Sequence, residues 1–113
     1  MPREYMPKYI PNEVWKRITS VIRDYNRLKA EYNKLTSDET RTISVREKEL
    51  RRKITAFEQA FNSVDDERRE LIKQRFWKRR IYRDIFIPMS ERTMQRYVRE
   101  FVVEVGQNLG EIE

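Results

Sequence analysis

Histidine and cysteine are both absent from this chain of 113 residues, and it has only two glycines and four prolines. Without cysteine there is no disulfide framework and no thiolate metal site. Without histidine, the most frequent general base and the other common zinc ligand are missing too. No Gly-rich phosphate loop and no suggestively spaced acid pair takes their place, so the sequence predicts no catalytic residue, no metal and no cofactor. Long apolar runs are lacking as well: none exceeds Ile85-Phe86-Ile87, or five residues if Pro88-Met89 is included. Neither a membrane span nor a signal peptide is expected, and the composition predicts a soluble, intracellular protein without membrane contact.

Charge is what the chain has in abundance. Charged residues make up 39% against 38% hydrophobic, and 25 Lys/Arg face 19 Asp/Glu for a net charge of +6. The excess is local. Between Arg68 and Arg99 stand eleven Lys/Arg and only three acids (Glu70, Asp84, Glu91), a surplus of +8 that leaves −2 for everything else. A neutral body with one basic segment is the pattern expected when nucleic-acid phosphates are neutralised on one face. An ordinary solvated helix face is the competing explanation for such a segment.

Three of the four prolines (Pro2, Pro7, Pro11) fall in the first eleven residues and predict an extended arm over 1–11, with Tyr5, Met6, Tyr9 and Ile10 available for docking. Asn12 is the expected N-cap of a long helix. In it Val14, Ile18, Val21, Tyr25, Leu28, Tyr32 and Leu35 recur at 4-3-4-3-4-3 spacing, a heptad stripe on a helix of roughly 36 Å. The polar run Thr36 to Thr40 breaks it. Ser44 with Glu47 reads as a capping box, after which Leu50, Ile54, Phe57, Phe61 and Val64 mark a second amphipathic helix. A short polar connection favours antiparallel neighbours, so 12–63 reads as a helical hairpin. Its seam is filled internally, by the C-terminal part, or by a second copy of the chain in a homodimer through the heptad stripes.

The segment 64–113 begins with Asp65, Asp66 and Glu67, read as helix-start acids rather than a metal site. The third helix reaches about Lys78, with Leu71, Ile72, Phe76 and Trp77 inward. A short helix around Ile81 to Phe86 must stop at Pro88. Ser90 then caps a final helix whose stripe is Met94, Val98, Phe101, Val105 and Leu109, with Gly110 as terminator. Tyr97, Trp15 and the Phe76-Trp77 pair read as core rather than as base-stacking residues. The fold class is all-α: a long helical hairpin followed by a helix-turn-helix.

In a helix-turn-helix the last helix enters the major groove and its N-terminal residues meet base edges. Glu91, Arg92, Gln95 and Arg96 are the candidate base contacts: Arg pairs with guanine, Gln with adenine, and Glu with the cytosine amine. Lys73, Lys78, Arg79, Arg80, Arg83, Thr93 and Arg99 are the candidate phosphate contacts.

These residues carry a resemblance. Glu67-Arg68-Arg69-Glu70-Leu71-Ile72-Lys73-Gln74-Arg75-Phe76-Trp77, then Ser90-Glu91-Arg92-Thr93-Met94-Gln95-Arg96-Tyr97, closing on Gln107-Asn108-Leu109-Gly110-Glu111, resembles the C-terminal part of the RinA/ArpU-type phage late transcription activators. The likeness spans about residues 43–113 and is most specific from Ser90 to Arg96. It implies that the C-terminal helix-turn-helix is similar to sigma factor region 4, and that the chain is a sequence-specific double-stranded-DNA-binding regulator of phage or prophage origin, which activates late genes by contacting host RNA polymerase in the bacterial cytoplasm. The stretch Arg79 to Ser90 is slightly shorter than the family's turn unit, which implies an abbreviated or tilted first helix of the motif. Two other functions fit the same elements: a phage small terminase subunit, and a helical protein–protein interaction module.

Overall fold

Apolar side chains at heptad spacing must be covered, and the way this chain covers them sets its architecture. The computed structural model describes residues 9–37 and 44–113; Asp38, Glu39 and Thr40 of the expected break lie outside them, as does the arm up to residue 8. All regular structure among the described residues is helical. Helix α1 spans Asn12–Thr36, α2 Val45–Asn62, α3 Asp66–Ile72 and α4 Glu91–Leu109. A π-wound turn, Lys73–Trp77, continues α3, and a 3-10 turn, Tyr82–Asp84, lies between it and α4.

Helices α1 and α2 pack antiparallel. Tyr25 stacks on Phe57 with centroids 4.3 Å apart, while farther along α1 Glu31 meets Arg46 at 2.8 Å, near the start of α2. The heptad seam closes within the chain, because α4 packs against both helices of the hairpin, running antiparallel to α2 from Phe61–Phe101 to Arg52–Leu109. Leu50, Ile54 and Phe57 from α2, Ile18, Val21, Ile22 and Leu28 from α1, and Met94, Val98, Phe101, Val105 and Leu109 from α4 join one core, with Leu71, Ile72 and Phe76. Phe57 sits at its centre with Tyr25, Phe61, Trp77 and Phe101 around it. Burying each of these large side chains contributes about 1.5–3 kcal/mol. No second copy is required to cover the stripe.

Polar groups lock the helices in register. Trp77 Nε1 donates to the Ile22 carbonyl at 2.9 Å, Asn108 Nδ2 to the Ala56 carbonyl at 3.0 Å, and Arg52 to the Leu109 carbonyl at 2.7 Å. Near its C-terminal end α4 approaches α1 closely at Gly106, where a Cβ would come within 2.6 Å of Ile18 Cδ1.

The expected caps are present with one correction. Ser44 accepts from the Glu47 N–H, Asp65 from the Arg68 N–H and Ser90 from the Thr93 N–H, and Gly110 ends α4 at φ 81°. Asn12, expected as the N-cap of α1, is instead its first helical residue. Pro11 holds the cap position without a side-chain bond; its carbonyl accepts the first helical bond, from Trp15.

The connection before α4 also differs from expectation. Of the short helix expected over Ile81 to Phe86, only the single turn Tyr82–Asp84 forms. The tight turn follows at Ile87 to Met89, closed by the Met89 N–H on the Ile87 carbonyl at 2.7 Å. Pro88 explains the truncation, since it drives Ile87 out of helical geometry and offers no N–H. Residues 78–90 are therefore a wrapped loop rather than the three- or four-residue corner of a compact helix-turn-helix.

Candidate nucleic-acid interface

The candidate base-contacting residues occupy the first two turns of α4. Met94, Val98 and Phe101 face the core, so Glu91, Arg92, Gln95 and Arg96 are left on the outer face, all exposed. Arg92, Thr93, Gln95, Arg96 and Arg99 line one open hollow of about 480 Å³. Glu91 stands outside it. Ser90 fixes the start of this surface, accepting the Thr93 N–H at 3.2 Å and donating to the Thr93 hydroxyl at 3.0 Å. The free N–H groups and positive dipole end of the helix add to the attraction for an anion there.

Tyr97 connects this face to α3. The Arg68 guanidinium lies 3.7 Å from its ring centroid and that of Arg96 5.2 Å. Its hydrogen bond and charge interaction with Arg68, with a further contribution from Arg96, hold the phenol below its ordinary value of 10.0. Arg99 lies farther back, 5.9 Å from the Trp15 ring on α1, and is half-buried.

The candidate phosphate contacts are more dispersed. Lys78, Arg79, Arg80 and Arg83 are exposed on the loop, and Lys73 is half-buried at the start of the π turn. Arg80 is tethered, donating to Gln74 Oε1 at 2.9 Å. Arg79 lines a second hollow, with Arg23, Arg75 and Phe76, of about 300 Å³. Neither hollow includes Lys73, Lys78, Arg80 or Arg83.

Not every cation of the basic segment is available. Arg69 donates to the Phe61 and Asn62 carbonyls at 2.9 and 3.0 Å and pairs with Asp66 at 3.2 Å, satisfying the end of α2. Its charge is part of the fold. By contrast, among the described residues none of Lys73, Lys78, Arg79, Arg83, Arg92 and Arg96 takes part in an ion pair. In the hairpin ion pairs are more frequent, taking in six of its eleven described cations. Arg27, Lys29, Arg46, Arg52 and Lys53 each meet an acid of α1 or α2, and Arg17 meets Glu111. A hollow of about 490 Å³ between α1, α2 and the end of α4 accordingly has Glu49 and Glu111 among its arginines and lysines.

Two residues of the second hollow, Arg23 and Arg75, are not among the candidates read from sequence. Arg75 lies inside the basic segment, but Arg23 belongs to α1, outside it, where Arg17, Asp24, Arg27, Lys29 and Glu31 are ion-paired. The Trp77–Ile22 hydrogen bond, across 55 positions, and the stacking of Tyr25 with Trp77 bring the two segments together. Ile81 and Phe86 are likewise unforeseen as surface: they are 49% and 85% exposed, placing apolar groups amid the basic loop.

No known protein family matches the chain, and neither does any curated protein or solved structure.

Proposed function

We propose that the chain binds double-stranded DNA, with the outer face of α4 in the major groove and the loop 78–90 against the backbone. The observation that supports this reading is the unequal pairing of charge: among the described residues six of the eleven cations of the hairpin are ion-paired within the chain, whereas Lys73, Lys78, Arg79, Arg83, Arg92 and Arg96 are not. Unpaired Lys/Arg on one segment are the footprint of a polyanionic partner. The forked donors of Arg92 and Arg96 suit guanine, and the amide of Gln95 suits adenine. Glu91, beside them, suits the cytosine amine. Lys73, Lys78, Arg79, Arg80, Arg83, Thr93 and Arg99 supply the backbone contacts.

On this reading the chain is a sequence-specific regulator of the kind its resemblance to phage late activators implies, with RNA polymerase as the second partner. The abbreviated turn Tyr82–Asp84 in place of a full first helix gives α4 a docking angle of its own.

The test is selection of bound fragments from the source genome, followed by measurement on the selected site. Arg96→Ala is expected to lose about 1–3 kcal/mol and to relax discrimination at one base pair. Arg79→Ala is expected to weaken all sequences alike and to flatten the salt dependence by about one unit. Indifference of both variants sinks the assignment.

One observation favours a second reading, a protein–protein interaction module: Phe86 and Ile81 are exposed in the loop. That reading expects no retention of the chain on duplex DNA at low salt.

A further inference from the structure

Arg23, Arg75 and Arg79 come together from three places. Arg23 belongs to α1, Arg75 to the π turn and Arg79 to the loop beyond it, and with Phe76 they line the hollow of about 300 Å³. Trp77 Nε1 on the Ile22 carbonyl pins the π turn to α1 one residue from Arg23, so the cluster is a product of tertiary structure. Arg75 is further placed by its 3.2 Å bond to the Arg80 carbonyl and by the Tyr82 ring, 4.7 Å beneath its guanidinium. Among the described residues no carboxylate is ion-paired to any of the three. Three guanidiniums around one hollow repel one another unless an anion sits between them.

The backbone under this cluster is held in costly conformations. The Lys78 N–H reaches the Lys73 carbonyl at 3.0 Å, a π-type bond, and the Arg80 N–H reaches the Gln74 carbonyl, also at 3.0 Å. Between them Arg79 adopts φ 54°, the left-handed region where glycine is the usual choice. Both π turns and left-handed non-glycine residues concentrate where a side chain must be delivered to a particular spot. Here both deliver arginines to one hollow.

We propose that Arg23, Arg75 and Arg79 form a binding site for a phosphate group, to which guanidinium forks are matched in geometry and charge. Its expected occupant, a phosphodiester of duplex DNA, rests on the function proposed above, and a free phosphate has the same chemistry. With DNA bound there, the hairpin contributes a backbone contact through Arg23 in addition to those of the basic segment.

Two measurements on the full chain test the site. In the first, thermal unfolding is followed in sodium phosphate and in sodium chloride at matched ionic strength. The midpoint should be higher in phosphate for the wild type, the difference should vanish in Arg23→Gln and Arg79→Gln, and it should persist in Arg51→Gln, which alters an exposed cation of α2. In the second, duplex binding is followed against salt, and Arg23→Gln should lower the log–log slope by about one unit with base preference unchanged.

Loss of the phosphate effect with no DNA binding by the wild type assigns the site to free phosphate and ends the DNA reading. A changed slope without a phosphate effect assigns it to the DNA backbone. Wild-type DNA binding with Arg23→Gln indifferent in both measurements overturns the site and leaves the DNA reading standing. Failure of both measurements in the wild type overturns both.

Discussion

At position 79 an arginine occupies a backbone conformation, φ 54°, that glycine adopts without steric penalty. Stability alone would place glycine there, since it would relieve the strain and still close the turn. Arg79→Gly is therefore expected to raise stability by about 0.5–1 kcal/mol in urea denaturation while weakening DNA binding, and Arg79→Ala to bring no such gain. Loss of stability in the glycine variant would show that the guanidinium serves the fold.

Glu58 makes a different residue-scale prediction. Burial by itself would raise its carboxyl, but hydrogen bonds from Tyr25 and Lys29 outweigh this and hold it below its ordinary value of 4.5. The same contact and burial push the Tyr25 phenol up to about 12, burial contributing most. Because the folded carboxyl is the stronger acid, its contribution to stability is complete above pH 4.5 and is lost as pH falls through the folded value. Glu58→Gln should flatten the acid limb of the stability–pH curve, measured by urea titration below pH 5; an unchanged limb would contradict the account.

At the scale of elements, α4 serves two masters: its inner stripe completes the core, and its outer face presents Glu91, Arg92, Gln95 and Arg96. Ser90 joins these tasks by capping the helix just where the outward residues begin. Ser90→Ala is expected to cost about 1 kcal/mol in thermal or urea unfolding and to blunt base discrimination more than total affinity, because fraying misplaces the first turn. Equal loss on all sequences would argue against base reading from this turn.

The elements were legible where local chemistry decides them. The heptads of α1 and α2, the caps at Ser44, Asp65 and Ser90, and the Gly110 stop each rest on spacing or on one side chain. Asn12 misled because a good capping residue lies directly after Pro11, and Pro11 stands ready to be the last extended residue before the helix. The helix expected at Ile81 to Phe86 shrank to one turn because Pro88 restricts Ile87, and the segment has few residues to spare once the π turn has ended at Trp77. No local rule could announce that π turn. The outer face of α4 was readable from periodicity, whereas Arg23 was not, since its place beside Arg75 and Arg79 depends on how α1 packs against a segment some fifty residues away.

For the molecule as a whole, extents of 51 × 29 × 26 Å are set by the long hairpin, with α4 packed against it. Because one core runs through all four helices, the basic surface is mounted on a braced support rather than on a loose tail. This agrees with a binding surface whose arginines must hold their geometry.

The most direct test of the account is the salt dependence of the wild-type chain on duplex DNA. If the six cations proposed for the backbone, Lys73, Lys78, Arg79, Arg80, Arg83 and Arg99, each displace one counterion, log K should fall with log salt at a slope of about −5. A slope near zero, or no retention on duplex DNA at low ionic strength, would contradict it.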